Sequence, residues 1–209
     1  MTFEQVQNQV LKLLNQYSVA GSPVAPSYNN QQDYLNRMAS LVNDAVMEIA
    51  TTTRKIPATL VLNSLYSEDL GDWIRYELPE DFYQFKTGGT LLTTDDGRLL
   101  HTNQYTISGK KCLLVPKKEI DAGSSYVITY YRYPDLLSEK PNPTDELDNA
   151  PETHYAVPFY VAAFLVVHDD SFLFASFYNK FEDKLAKMDS GLSVEARPVE
   201  DVYGFDSGC

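Results

Sequence analysis

An apolar stretch runs from Thr153 to Gly191 and reads THYAVPFYVAAFLVVHDDSFLFASFYNKFEDKLAKMDSG. At helical spacing its apolar residues surround most of the circumference, whereas a surface helix carries a single apolar stripe. Such a helix has to be covered on nearly all sides. The stretch therefore predicts one long helix that is covered either by the rest of the chain or by identical neighbours. Its two apolar faces comprise Tyr155, Phe159, Ala162, Ala163, Val166, Asp170, Phe174, Phe177 and Phe181 on one side, and Tyr160, Phe164, Val167, Leu173 and Tyr178 on the other.

Two shorter amphipathic helices precede this stretch. Thr2 and Gln5 have the spacing of a capping box, and apolar residues recur behind them at helical intervals. A second apolar stripe follows Asp33, a candidate N-cap, and stops before Pro57. The sequence therefore predicts a first helix over residues 3–17, a loop over 18–32, and a second helix from 33 to about 53.

Between Thr59 and Tyr133 the apolar pattern changes from helical to alternating. The segments WIRYEL, TLLTT, RLLHT, KCLLV and YVITYYRY are separated by short runs of turn residues. Asp95, Asp96 and Gly97 form the strongest hairpin signal, because glycine supplies the positive φ that a tight turn requires. This part of the chain is predicted to be an antiparallel sheet or a small sandwich.

The order of these elements predicts an α+β fold, in which a helical domain of three main helices is interrupted by an antiparallel β insertion between helices two and three. The segment after the insertion, PDLLSEKPNPTDELDNAP, is acidic and rich in proline, and is predicted to be an extended connector that is too polar for a core. The predicted divisions are a helical domain over 1–58 and 152–190, a β insertion over 59–134, a connector over 135–151 and a C-terminal tail over 191–209.

Charge and cysteine content exclude several classes of protein. The formal net charge of −12 opposes sequence-independent binding to nucleic acid, which depends on Lys and Arg contacts with phosphates. The two cysteines, Cys112 and Cys209, are too few for a disulfide framework or a cysteine-based zinc site, and they fit synthesis in a reducing cytoplasm. The N-terminal residues lack the pattern of a secretion signal, and no window is apolar enough to predict a membrane span.

His168, Asp169 and Asp170 place an imidazole beside two carboxylates, so a metal or acid–base site has to be considered. Consecutive helical residues point in different directions, and zinc-binding helices place their ligands one turn apart instead. A buried or interfacial polar cluster that fixes the register of the helix is therefore the favoured interpretation. A small hydrolase that uses these residues remains the last of the alternatives.

Other reactive residues lack partners in the sequence. His101 and His154 have no nucleophile near them, Cys112 follows Lys111 in a strand pattern, and Gly88-Gly89 lacks the lysine and the following helix of a phosphate loop. We therefore predict no catalytic residues, no metal, no cofactor and no enzymatic activity.

Aromatic residues are concentrated in the predicted strands. Aromatic strands can stack sugars or bases, but the acidic charge favours a role in the core and in a protein interface. A carbohydrate- or peptide-binding module that uses the tyrosine-rich sheet is the alternative function. The residues concerned are Tyr126, Tyr130, Tyr131, Tyr133, Trp73, Tyr76, Phe82, Tyr83 and Phe85.

Several segments together resemble the head-to-tail adaptor proteins of tailed bacteriophages, which are also called connector or head completion proteins. These segments are the leading helix, the second helix DYLNRMASLVNDAVMEIATTTRKIP, the strand and turn YELPEDFYQFKTGG, and the last helix, which begins PETHYAVPFYVAAFLVVHDD. The most similar positions are Leu78, Pro79, Asp81 and Phe82 in the turn, and Pro158, Ala162 and Ala163 in the last helix.

The resemblance implies a structural subunit of a ring, typically of twelve copies, located in the virion neck. Such a ring docks beneath the portal protein, contacts the next neck or tail ring, and continues the channel through which DNA passes without specific binding. An acidic wall fits that passage because it offers DNA no cationic contacts. The resemblance also implies that the C-terminal tail enters the portal through Val202, Tyr203 and Phe205, and that ring neighbours contact the last helix at Phe159, Ala163, Val166, Asp170, Phe174 and Phe177.

Overall fold

The computed structural model describes residues 1–14, 30–62, 67–93, 99–101, 105–108, 112–121 and 125–189. The helices are α1 (Phe3–Leu13), α2 (Asn30–Glu48), α3 (Lys117–Asp121), α4 (Val157–Val166) and α5 (Ser171–Asp189). A π-helical turn, Ile49–Thr53, follows α2, and a 3-10 turn, Pro151–Thr153, precedes α4. The strands are β1 (Ile56–Val61), β2 (Ser67–Asp69), β3 (Trp73–Glu77), β4 (Phe82–Thr93), β5 (Leu99–His101), β6 (Thr106–Ser108), β7 (Cys112–Pro116) and β8 (Ser125–Arg132). This order confirms the predicted α+β class with a β insertion after the second main helix.

The N-terminal capping box is present as predicted. The Thr2 hydroxyl oxygen accepts a hydrogen bond from the Gln5 N–H (3.4 Å), and the Gln5 side chain accepts one from the Thr2 N–H (3.0 Å). Both bonds satisfy donors that the first turn of a helix leaves free. The second main helix starts at Asn30, three residues before the predicted cap, so Asp33 lies inside its first turn.

The prediction of one long C-terminal helix is wrong, because the stretch forms two helices with a break at residues 167–170. Asp170 causes the break: its Oδ1 accepts hydrogen bonds from the N–H groups of Phe172 (2.9 Å) and Leu173 (3.0 Å). A short carboxylate side chain that bonds these N–H groups acts as the N-cap of a new helix. The chain then reverses, since Tyr160 meets Phe181 and Phe164 meets Phe174 across α4 and α5.

This reversal explains how so apolar a stretch is covered. α4 packs against α1, α2 and α5, so helices of the same chain cover its sides. Within the described ranges, no helix combines the length and the apolar character that crossing a membrane requires. The buried helical core consists of Phe3, Val6, Val10, Leu11, Met38, Ala39, Val42, Ala45, Val46, Ile49, Leu147, Ala156, Val157, Val161, Ala162, Ala163, Leu165, Val166, Phe177, Phe181 and Leu185.

The described strands form two antiparallel sheets, with strand orders β1-β8-β4-β5 and β2-β3-β7-β6. Asp95–Gly97 lies outside the described residues, and the strands on either side pair antiparallel, with Thr93 opposite Leu99. Gly88 and Gly89 lie in β4, where the register with β8 shifts between Phe85 and Thr90. The sheets enclose a second core formed by Leu62, Ile74, Tyr76, Leu78, Leu113, Val115, Tyr126, Ile128 and Tyr130.

Residues 134–149, called the strap below, connect the sheet to the last helices. At the end of β8, Arg132 donates two hydrogen bonds to the Asp148 carboxylate (2.7 and 2.8 Å), which also accepts the Asp135 N–H (2.6 Å). On the helical side, Asn43 of α2 bonds both the C=O and the N–H of Leu137 (2.9 and 2.8 Å). The strap is therefore attached to both cores.

The strap also holds the N-terminus. The Phe3 N–H donates to the Asp145 C=O (2.8 Å), and the Leu147 N–H donates to the Met1 C=O (3.1 Å). The Leu147 side chain is buried in the helical core, so the expectation that the connector is too polar for a core is wrong at this position. The predicted domain boundaries stay a prediction.

Candidate docking surfaces

The turn between α4 and α5 is exposed. His168, Asp169 and Asp170 all lie at the surface, so they are not the buried cluster that the sequence suggested. Asp170 caps α5, and Asp169 lies near the Tyr34 hydroxyl of α2. Burial and the charge of Asp169 together raise the pKa of Tyr34. In the part of the chain that the structure describes, no three His, Cys, Asp or Glu side chains are grouped to hold a metal ion.

Beside this turn, α5 begins with an apolar tip. The Phe172 side chain is 80% exposed, the largest value among the exposed large apolar residues of the described chain, and Leu173 beside it is also exposed. The cap places both residues in the first turn of α5. Exposed apolar residues that cluster in this way are typical of sites that bind another protein.

The predicted inter-subunit residues divide into two groups. Ala163, Val166 and Phe177 are buried in the helical core of this chain, so they do not face a neighbouring subunit in this conformation. Phe159 and Phe174 are half-buried and Asp170 is exposed, and for these three the inter-subunit role stays a prediction. The predicted portal-binding residues Val202, Tyr203 and Phe205 lie outside the described residues.

A cluster of aromatic rings lies between α4 and α5 and borders the carboxylates of α2. The Tyr160 and Phe164 ring centroids lie 4.5 Å apart, and those of Tyr160 and Phe181 5.1 Å apart. Burial, followed by the charges of Asp44 and Glu48, raises the pKa of Tyr160 to about 12. The tyrosine ring therefore lies close to two exposed carboxylates of α2.

Tyr178 belongs to the same surface. Its ring is stacked on Phe174 with centroids 5.7 Å apart. Burial, together with the charges of Glu182 and Glu48, raises the pKa of Tyr178. The sequence interpretation missed this surface because its residues come from three helices. The four-residue spacings of Asp44 with Glu48 and of Tyr178 with Glu182 were the available signal.

The tyrosine-rich strands contribute mainly to the sheet core. Tyr126 and Tyr130 are buried there and do not form a ligand-binding surface, whereas Tyr76, also buried in this core, lines the cleft between β1 and β3. Phe82 and Phe85 pack against the same core, with ring centroids 4.8 Å apart. The more exposed aromatic residues are Trp73 and Tyr133. The structure thus places most of the predicted aromatic surface in the interior.

A cleft of about 300 Å³ lies between the end of β1 and the turn after β3. Its apolar walls include Leu60, Leu62 and Leu78, and Glu77 and Glu80 also line it. Pro79, part of the turn that carried the family resemblance, lies in the same wall.

Two other residues considered in the sequence have structural contacts. The Arg75 side chain donates to the Cys112 sulfur across β3 and β7 (3.2 Å). Cys209 and the side chain of His101 lie outside what the structure describes. His154 lies next to the N-terminus, with Nδ1 2.7 Å from the Met1 nitrogen. Because an ammonium group only donates, Nδ1 accepts this bond, and Nε2–H donates to the Asn149 C=O (3.2 Å).

We expect His154 to make folding less stable in mild acid. Burial, followed by the charge of the Met1 ammonium group, lowers the pKa of His154 below its ordinary 6.5. The folded chain thus binds this proton less readily than the unfolded chain. The contribution of the neutral ring is fully present above about pH 6.5 and is lost as the pH falls through the lower pKa of the folded state.

The measurement is the melting temperature between about pH 7.5 and pH 5. His154→Gln should flatten the pH dependence, and His168→Gln, at the exposed turn, should leave it as in the wild type. An unchanged pH dependence in His154→Gln would contradict the assignment.

The fold is that of an α+β protein in which an antiparallel β insertion interrupts a set of helices. The chain belongs to the SU10 adaptor protein family, whose model matches residues 1–200. Membership confirms the resemblance to phage head-to-tail adaptors and gives the chain a structural adaptor role. A comparison with curated proteins found no match.

Proposed function

We propose that this protein is a subunit of a ring in the phage neck, which docks beneath the portal protein and continues the DNA channel toward the tail. The family match over residues 1–200 carries this proposal. In this arrangement, the ring contains about twelve copies, as the family resemblance implies, and its other face contacts the next neck or tail protein. The C-terminal tail, with Val202, Tyr203 and Phe205, enters the portal.

Two features of the chain support this role. The net charge of −12 lets DNA pass without specific binding, because a wall with few cations forms few contacts with phosphates. The exposed tip formed by Phe172 and Leu173 is an apolar surface that the fold of the single chain leaves uncovered. A partner protein that covers this tip would remove the cost of its exposure to water.

Native mass spectrometry of the chain, alone and mixed with the portal protein of the same phage, tests the proposal. We expect the portal to produce a complex that contains many copies of the chain, and we expect deletion of residues 192–209 to abolish it. A chain with the same mass in both samples would contradict the proposal.

We expect Phe172→Ser to weaken this portal-dependent assembly at least about tenfold, because loss of a buried aromatic anchor commonly costs that much in an interface. The fold should be unaffected, since the side chain is 80% exposed in the single chain. Titration of the portal with each variant gives the affinity. Ser176→Ala, farther along α5, is the matched control, and equal affinities for Phe172→Ser and the wild type would show that the tip is not part of the contact.

A further inference from the structure

On helix α5, Glu182 lies on the side opposite Lys180 and Lys184, and Asp183, which lies nearer the lysines, is paired with Lys187. Successive residues of an α-helix are rotated by about 100°, so residues two positions apart lie on nearly opposite sides. Tyr178 and Glu182, four positions apart, share one side, and Lys180 and Lys184 share the other. The structure agrees, because burial and then the charge of Glu182 raise the pKa of the Tyr178 hydroxyl, whereas the Lys184 ammonium lies over the Phe159 ring, 5.2 Å from its centroid.

The acidic side continues onto α2. Asp44 and Glu48 are exposed, one turn apart, and their charges act on Tyr160, while Glu48 and Glu182 both act on Tyr178. Three carboxylates thus surround the half-buried rings of two tyrosines. Among the described residues, Asp44 and Glu48 form no ion pair. Asp44, Glu48, Tyr160, Tyr178 and Glu182 are called the acidic face below.

The basic side has complementary chemistry. Lys180 is exposed and, in the part of the chain that the structure describes, forms no salt bridge. Leu173 lies seven positions before it, on the same side of the helix, and its side chain is also exposed. The Lys184 ammonium is held above Phe159. Leu173, Lys180, Lys184 and Phe159 are called the basic face below.

We propose that the acidic face of one copy of this chain binds the basic face of the next copy. The inference rests on the proposed function, because it names the contact that joins neighbouring subunits of the ring. An ammonium group that meets carboxylates beside half-buried aromatic rings gains both charge pairing and attraction to the ring faces. When the two faces meet, the apolar parts of Leu173 and of the two tyrosines are buried from water, and this burial favours the contact.

The placement of the charges also selects the symmetry. A two-fold contact through either face would set carboxylates against carboxylates or ammonium groups against ammonium groups, which is unfavourable. A head-to-tail contact pairs opposite charges, and it leaves one acidic and one basic face free for the next copy. Repetition of that contact around an axis closes a ring.

The test exchanges charges between the faces. In the first variant, Asp44→Lys with Glu48→Lys, both faces are basic; in the second, Lys180→Glu with Lys184→Glu, both are acidic. We expect each variant alone to lose at least about tenfold in the affinity of assembly, because like charges then oppose each other. An equimolar mixture should recover assembly, since alternating copies restore an opposite-charge pair at every contact of an even-numbered ring.

Asp72→Lys with Glu139→Lys is the matched control. It changes the net charge as much as the first variant does, at exposed positions outside both faces. Far-UV circular dichroism checks that each variant is folded, and native mass spectrometry with and without the portal protein reports the number of copies. The control should assemble as the wild type does.

The outcomes separate this inference from the proposed function. A wild-type chain that forms no ring in either sample overturns the proposed function itself. If the wild type forms a ring and the first variant forms the same ring, the proposed contact between copies is wrong. A first variant that loses assembly and is not rescued in the mixture also overturns that contact, and assigns the acidic face to a basic segment of the portal or another partner.

Discussion

Replacing Phe181 with alanine is expected to lower the free energy of unfolding by about 3–5 kcal/mol, the usual cost of truncating a buried phenylalanine. The Phe181 side chain is fully buried in the helical core. It also contacts Tyr160 and Tyr178, with ring centroids 5.1 and 5.9 Å away. Truncation would leave a cavity between α4 and α5, at the junction that closes the helix pair.

Phe172→Ala is the matched comparison, because it makes the same chemical change in the same helix at an exposed position. Its expected cost is below about 0.5 kcal/mol. Urea denaturation followed by far-UV circular dichroism gives both values. Equal losses in the two variants would contradict the packing of α5 described above.

Replacing Asp148 with alanine is expected to cost about 2–3 kcal/mol, because its carboxylate accepts charge-assisted hydrogen bonds from Arg132. The Arg132 side chain is only 21% exposed, so the substitution leaves a half-buried guanidinium group without its main partner. Asp135→Ala is the control: this carboxylate lies 3.7 Å from the same guanidinium group, but it is 88% exposed and should contribute less than about 1 kcal/mol.

The Asp148 variant should also uncouple the two cores. Trp73, the one tryptophan of the chain, lies in the sheet, and far-UV circular dichroism reports mainly on the helices. In the wild type, the two signals should change at the same urea concentration, and in Asp148→Ala they should separate. Coincident transitions in the variant would show that the strap does not couple the cores through this carboxylate.

Protonation of Asp148 in acid should destabilise the fold as Asp148→Ala does. Burial alone would raise the pKa of Asp148, but the hydrogen bonds from Arg132 and the Asp135 N–H outweigh it, so the pKa lies below its ordinary 3.8. The stabilisation is present above that ordinary value and is lost as the pH falls through the lower pKa of the folded state. This loss occurs at lower pH than the loss due to His154.

The sequence predicted the features that depend on local patterns. The capping box at Thr2 and the change from helical to alternating spacing after Pro57 require only neighbouring residues, and both correspond to elements of the structure. The break at Asp170 also had a local signal, a short carboxylate before Ser171, but the apolar residues on both sides outweighed it in the interpretation. A continuous periodicity does not reveal that a chain reverses, because the two halves have the same pattern when they cover each other.

The acidic face and the strap could not be predicted in this way. Asp44 and Tyr160 are far apart in sequence, and only the packing of α2 on α4 brings them together. The strap appeared too polar for a core because its composition is acidic, although its bonds come from backbone groups, from Asn43 of α2 and from Arg132 of β8. Contacts of this kind depend on the completed fold.

Because the strap binds the N-terminus, it determines the order in which parts of the chain can fold during synthesis. The N–H groups of Phe3 and Glu4 bond to carbonyls of Asp145 and Pro143, and α1 packs on α4, so the partners of the N-terminus leave the ribosome after the whole β insertion. The sheet core, by contrast, uses residues between Leu62 and Tyr130. The β insertion can therefore fold before the partners of α1 are available, and the helical core closes only after α4 and α5 have been synthesised.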